Sequence, residues 1–263
     1  DPMGIPFHFA AGEGPLIEEP VRTRAAIDAL RRFDPRDELQ HTFEAIRLLR
    51  RELTIPLIGF AGAPFTLASY AIEGGHSTSF SQTKRLMYEE PAAWHRLAAL
   101  LADVVGDYLA AQVEAGAQAL QVFDSWVGIL DAEDYREFVQ PHVGALFGRL
   151  RGLGVPLIHF GTGTGHLLAL QREGGGDVIG VDWRTPLDEA WNILGEDVAI
   201  QGNLDPLVLF APRERVLSRV DAVLDRVALR RGHIFNLGHG ILPGTPVDNV
   251  RAVVEHVHAR TER

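Results

Sequence analysis

The segment Asn236-Leu237-Gly238-His239-Gly240 sets an imidazole between two glycines just past an apolar run. Flanking glycines let the backbone approach a ligand closely, and the ring can then exchange a proton or a hydrogen bond with it. A histidine that only satisfies its own loop backbone would show the same pattern. In Phe123-Asp124-Ser125-Trp126 a carboxylate and a hydroxyl are adjacent, so their side chains diverge. Two-residue alternation from Phe123 points Ser125, rather than Asp124, into a shared site, although both residues also make ordinary turns. The run Gly59-Phe60-Ala61-Gly62-Ala63-Pro64-Phe65-Thr66 joins small residues to aromatics and offers a flat apolar wall to a planar ligand. Tyr70 is read as part of the same loop, with a hydroxyl that needs a polar partner when buried. Gln201-Gly202-Asn203-Leu204-Asp205-Pro206 supplies amides and a carboxylate, or simply a helix cap. Gly161, Gly163 and Gly165 make a weak phosphate-cradle signal.

Other chemistries are excluded by composition. The 263 residues include no cysteine, which removes disulfides, thiolate metal sites and a cysteine nucleophile. No G-x-S-x-G elbow is present to suggest a serine hydrolase. The 11 histidines are scattered without metal-ligand spacing, and His256 and His258 do not share a helix face. A metal site is not expected. A formal charge of −10 supplies no positive field for nucleic acid or an anionic membrane surface, so neither is an expected partner. The lack of a long apolar run and of a signal-peptide layout leads to an expected cytoplasmic location.

These residues need a scaffold that gathers them. Six short apolar runs read as buried strands: 56–61, 119–123, 156–160, 178–182, 198–202 and 233–237. Between them, helical signals cover 37–52, 81–115, 131–153, 166–173, 186–194, 212–229 and 246–260. Repeated β-α units with continuous apolar strands specify a parallel sheet covered by helices. Every strand runs into a small or polar cluster at its C-terminal end, and a closed barrel gathers all such ends at one mouth. An open doubly wound sheet would need them only at its switch point. The expectation is a single α/β domain over 1–263, of the (β/α)8 TIM-barrel type.

In order and spacing, these segments resemble the uroporphyrinogen decarboxylase family. They are Gly59 to Leu67 with Tyr70 and Glu73-Gly74-Gly75, Gly116 to Ser125, Gly180-Val181-Asp182-Trp183, Gln201 to Pro206, and Asn236 to Gly240. The resemblance implies a carboxy-lyase acting without metal or organic cofactor. Its reaction removes the four acetate carboxyl groups of uroporphyrinogen to give coproporphyrinogen in tetrapyrrole and heme biosynthesis. A homodimer is also implied. By matching position, Tyr70, Ser125 and His239 correspond to the family's polar active-site residues. Phe60 and Phe123 correspond to aromatics lining its macrocycle cleft.

Family members begin with an R-Q-A-G-R segment and a strand ending in F-S-D, and neither occurs here. Asp1 to Ala10 resembles the stretch just after that strand, and Gly12-Glu13-Gly14-Pro15 the following loop. The expectation is a barrel lacking the family's first two strands, with sheet edges exposed near Pro56 and Phe235 and activity reduced or lost. Two other readings compete. One is a corrinoid/thiol methyltransferase of the same superfamily, which the lack of cysteine disfavours. The other is a non-catalytic porphyrinogen-binding domain.

Overall fold

The computed structural model describes residues 2–10, 14–228 and 230–262. Asp1, Gly12 and Glu13, which belong to the family-like opening segment, and Leu229, the expected end of a helix, lie outside them. A short antiparallel hairpin, β1 (His8–Ala10) and β2 (Gly14–Leu16), comes first. It is followed by α1 (Arg24–Asp28), α2 (Pro35–Glu38) and α3 (Gln40–Glu52). The repeating part then runs β3 (Ile58–Gly62), α4 (Pro64–Glu73), α5 (Ser81–Glu89), α6 (Pro91–Ala115) and β4 (Ala119–Asp124). Next come α7 (Ala132–Asp134), a π-helical turn (Tyr135–Val139), α8 (Gln140–Leu150), β5 (Leu157–Gly161) and α9 (Leu168–Gly174). The chain finishes with β6 (Val178–Gly180), α10 (Leu187–Leu194), β7 (Ala199–Leu204), α11 (Arg213–Val227), β8 (His233–Leu237) and α12 (Val247–Thr261).

Among the described residues, β3 to β8 form one six-stranded sheet in which spatial order equals chain order and every pair is parallel. A doubly wound sheet reverses direction at a switch point; this one never does, so its helices all cover one face. The sheet is also strongly curved. Gln121 on β4 and Gln201 on β7 are three strands apart, yet Gln201 Nε2 donates to Gln121 Oε1 at 3.2 Å. On a flat sheet those positions would lie about 14 Å apart. These strands are six consecutive staves of a (β/α)8-type barrel.

Outward-facing strand residues such as Leu120, Val122, Ile179 and Ile200 are buried under the helices. Inward-facing Phe60, Ile58 and Ile234, on the two outermost strands, remain exposed. The expected edges are therefore β3 and β8, but β3 is partly covered. Gln112 of α6 accepts from Phe60 N–H at 3.0 Å and donates to its carbonyl at 2.9 Å, supplying bonds that a neighbouring strand would otherwise make.

Four local expectations need correction. Tyr70 lies on a helix rather than in a loop: Pro64 opens α4 at its first turn, and left-handed Gly74 closes it. The continuous helix expected over 81–115 is broken at Pro91, which lacks an N–H and holds Glu90 outside the helical region. The helix expected from Asp37 is divided, because Asp34 caps the short α2 and α3 begins only at Gln40. The glycines at 161, 163 and 165 do not leave an open anion cradle, because the Asp182 carboxylate accepts from Gly163 N–H at 2.7 Å.

Candidate active site

The C-terminal ends of the strands bring aromatic rings into a row. Phe60 on β3 meets Phe123 on β4 edge to face, with centroids 5.8 Å apart. Phe123 meets Phe160 on β5 at 5.7 Å. Phe160 lies 6.5 Å from the His239 ring, just past β8, and His239 lies 6.4 Å from Trp183, in the loop after β6. The row crosses the mouth, as a curved sheet permits and a flat one would not. His239 itself is exposed. Gly238 is required beside it, since a Cβ there would strike the Trp183 backbone.

A second group sits around the end of β4. Tyr70 stacks on Trp126, with centroids 4.0 Å apart and planes inclined by 32°. Phe80 and His76 pack on the same indole at 5.1 and 6.2 Å. Burial raises the Tyr70 hydroxyl above its ordinary pKa. Ser125 is partly buried between Asp124 and Trp126. Alternation along β4 places it on the Phe123 side, because Asp124 turns the other way into the helical layer.

Asp124 is completely buried. Thr66 Oγ1 donates to its Oδ1 at 2.7 Å, and Trp126 N–H donates to Thr66 Oγ1 at 3.4 Å. Thr66 belongs to α4, which also carries Tyr70, so this pair ties the Ser125 turn to the tyrosine helix. Desolvation pushes the Asp124 carboxyl up to about 7, with the Thr66 bonds opposing that rise. Asp124 Oδ2 and the nearby Tyr135 hydroxyl have no protein hydrogen-bond partner among the described residues.

Beside His239, Asp182 is buried and Arg184 is half-exposed. Asp182 accepts from the Arg184 guanidinium, from Arg184 N–H at 3.1 Å and from Gly163 N–H at 2.7 Å. The Arg184 guanidinium carbon lies 4.0 Å above the Trp183 ring. Glu73, in the Glu73-Gly74-Gly75 segment, accepts from Thr83 N–H and Oγ1 and so caps α5 instead of facing the mouth.

Thus Phe60, Phe123 and His239 share one aromatic row, while Tyr70 stacks on Trp126, the residue that follows Ser125, and both groups lie at the end of β4. Phe160, Trp126 and Arg184 escape sequence reasoning. A phenylalanine inside an apolar strand carries no local mark of its face, and Arg184 gains its place only by folding back onto its neighbours. Asp182-Trp183 at a strand end is the available signal for the last.

A parallel β/α barrel wall with aromatic, hydroxyl and imidazole side chains at its C-terminal rim defines a barrel-type enzyme scaffold. The solved methyltransferase from Methanosarcina mazei has the same fold: TM-score 0.77 at 16% identity, covering 98% of this chain and 76% of the other. A B12-independent methionine synthase from Shewanella superposes with TM-score 0.61 at 13% identity, covering 99% and 76%. Residues 1–260 match the family described as Uroporphyrinogen decarboxylase (URO-D), and this chain belongs to that family. The curated uroporphyrinogen decarboxylase of Sorangium cellulosum is 59% identical over 261 residues, 98% of this chain and 75% of the relative. Those of Carboxydothermus hydrogenoformans and Thermus thermophilus are 54% and 53% identical, with 74% of each relative covered.

Proposed function

We propose that this protein is a carboxy-lyase that converts uroporphyrinogen to coproporphyrinogen by removing four acetate carboxyl groups, with the rim of β3, β4 and β8 as its site. The membership of nearly the whole chain in the decarboxylase family carries this reading. The aromatic row supports it as a wall for a macrocycle. Loss of CO2 from an acetate on an electron-rich pyrrole begins with protonation of the ring α-carbon next to the one bearing the acetate, which leaves a cationic ring conjugated to the acetate-bearing carbon. The C–C bond then breaks, and its electron pair forms an exocyclic methylene and neutralises the cationic ring. The exocyclic carbon takes a proton while the ring carbon releases its own, which restores the aromatic pyrrole with a methyl group. One proton from solvent therefore replaces each CO2. Ser125 and Tyr70 orient carboxylates by hydroxyl hydrogen bonds, and His239 donates to a substrate carboxylate or pyrrole edge. Phe60 and Phe123 hold the ring plane. We assign the protein to the cytoplasm as a homodimer with no metal or organic cofactor, and sedimentation at micromolar concentration tests the dimer.

The deciding experiment is anaerobic incubation of the full-length protein with uroporphyrinogen, with products separated by carboxyl number. Stepwise loss down to four carboxylates is expected. Tight binding without CO2 release would instead favour the non-catalytic porphyrinogen-binding reading. His239→Asn should retain measurable turnover, because an amide still donates a hydrogen bond. Turnover at the uncatalysed level with binding intact would make His239 a proton shuttle.

A further inference from the structure

A substrate with eight carboxylates must approach a chain of formal charge −10, so capture needs cations fixed at the mouth. Most arginine contacts lie elsewhere: Arg32 and Arg149 pair with Asp103 and Asp107, Arg36 with Glu114, and Arg260 with Asp221 and Asp225. These pairs sit on helices of the outer shell and, for Arg32, on the loop joining α1 to α2. Arg184 differs in position. It follows β6 at the rim and covers Trp183, the same indole that the His239 imidazole meets at 6.4 Å.

We infer that Arg184 is a carboxylate-binding residue of the substrate site, recognising one side-chain carboxylate of the porphyrinogen from the β6 rim. This rests on the proposed decarboxylase reading. Its geometry is that of a prepared fork. Buried Asp182 holds the guanidinium from one side and Trp183 from below, so little rotamer freedom remains to be lost on binding. The Asp182 side chain is 1% exposed and that of Arg184 is 53% exposed. The pair is therefore a dipole with its positive end outward. Asp182 is further satisfied by two backbone N–H groups, and among the described residues the remaining guanidinium donors of Arg184 have no protein acceptor, so they can face an incoming anion.

The test uses the full-length protein with Arg184→Gln and Arg184→Lys, two readouts being measured for each. Kinetics on uroporphyrinogen should show KM raised about tenfold for Arg184→Gln with kcat within about twofold, as loss of one charge-assisted contact predicts. Arg184→Lys should recover part of the loss, since it keeps the charge but not the planar fork. The salt dependence of kcat/KM should become shallower in Arg184→Gln than in the wild type. Independently of turnover, fluorescence titration with uroporphyrin should show a matching rise in Kd, so the inference is tested even if the protein proves not to be a decarboxylase. Unchanged KM and uroporphyrin Kd in Arg184→Gln would overturn it. So would a fall in kcat and melting temperature at unchanged KM, which would reduce Arg184 to a structural partner of Asp182.

Discussion

Asp124 shows how one buried group can shape a site that it does not enter. Its carboxyl lies behind Ser125, bonded to Thr66 on one oxygen and without a protein partner on the other among the described residues. Because burial raises its pKa to about 7, the folded protein binds a proton there that the unfolded chain releases near 4. Its contribution to stability is therefore present at low pH and lost as pH rises towards 7. Asp124→Asn should match the wild type near pH 4 and gain on it progressively up to pH 7, as urea unfolding at several pH values can measure. A constant difference across that range would mean that the carboxyl ionises normally. Thr66→Val removes the partner of both Asp124 and the Trp126 amide, and should cost about 1–3 kcal/mol. It should also loosen the Trp126 support for Tyr70, read as a lower kcat/KM.

At the scale of elements, the mouth depends on how strands meet their neighbours. Strand β3 presents Phe60 while pairing with β4 alone among the described residues. Gln112 completes its hydrogen bonding from α6. Gln112→Leu should cost about 1–2 kcal/mol and increase concentration-dependent association, because an unpaired edge recruits other strands. Light scattering over a concentration series checks the second effect. At the opposite end of the row, the loop after β8 packs so closely on the loop after β6 that Gly238→Ala would force backbone apart. That substitution should lower stability by about 1–3 kcal/mol and displace His239, with a larger fall in kcat/KM than the stability loss alone produces.

The whole molecule should be acid-sensitive for identifiable reasons. His159 is fully buried, its Nδ1 directed at the carbonyls of Gln171 and Gly175, and desolvation lowers its pKa to about 4. His142, buried and hydrogen-bonded to His95, is likewise lowered to about 4. Both are neutral when folded and charged when unfolded over the window from about 4 to 6.5. Their contribution is fully present above that window and lost as pH falls through it. These histidines, with His233 lowered by burial in the same direction, outnumber the single Asp124, so net stability should decline on acidification by about 1.4 kcal/mol per pH unit per unbalanced proton. The Asp124→Asn variant should decline more steeply than the wild type. A flat stability profile between about pH 4.5 and 6.5 would contradict the buried neutral state of these rings.

Chain order in the sheet, the strand positions and the rim placement of Ser125 and His239 are legible in the sequence because they follow from local rules. Apolar runs of strand length, β-α alternation and polar residues at strand ends need only neighbouring residues to be recognised. Tyr70 reads as a loop residue because α4 is apolar nearly all round and its periodicity is weak; Pro64 and Gly74 mark its ends all the same. Which inward residues touch depends on the curvature of the sheet, which no local pattern records. That curvature alone brings Gln121 to Gln201 and Phe160 to His239. The protonation of Asp124 likewise depends on burial among distant side chains, and Arg184 acquires its place through its stack on Trp183 and the burial of Asp182. These are properties of distance and dielectric, and only tertiary packing sets either one.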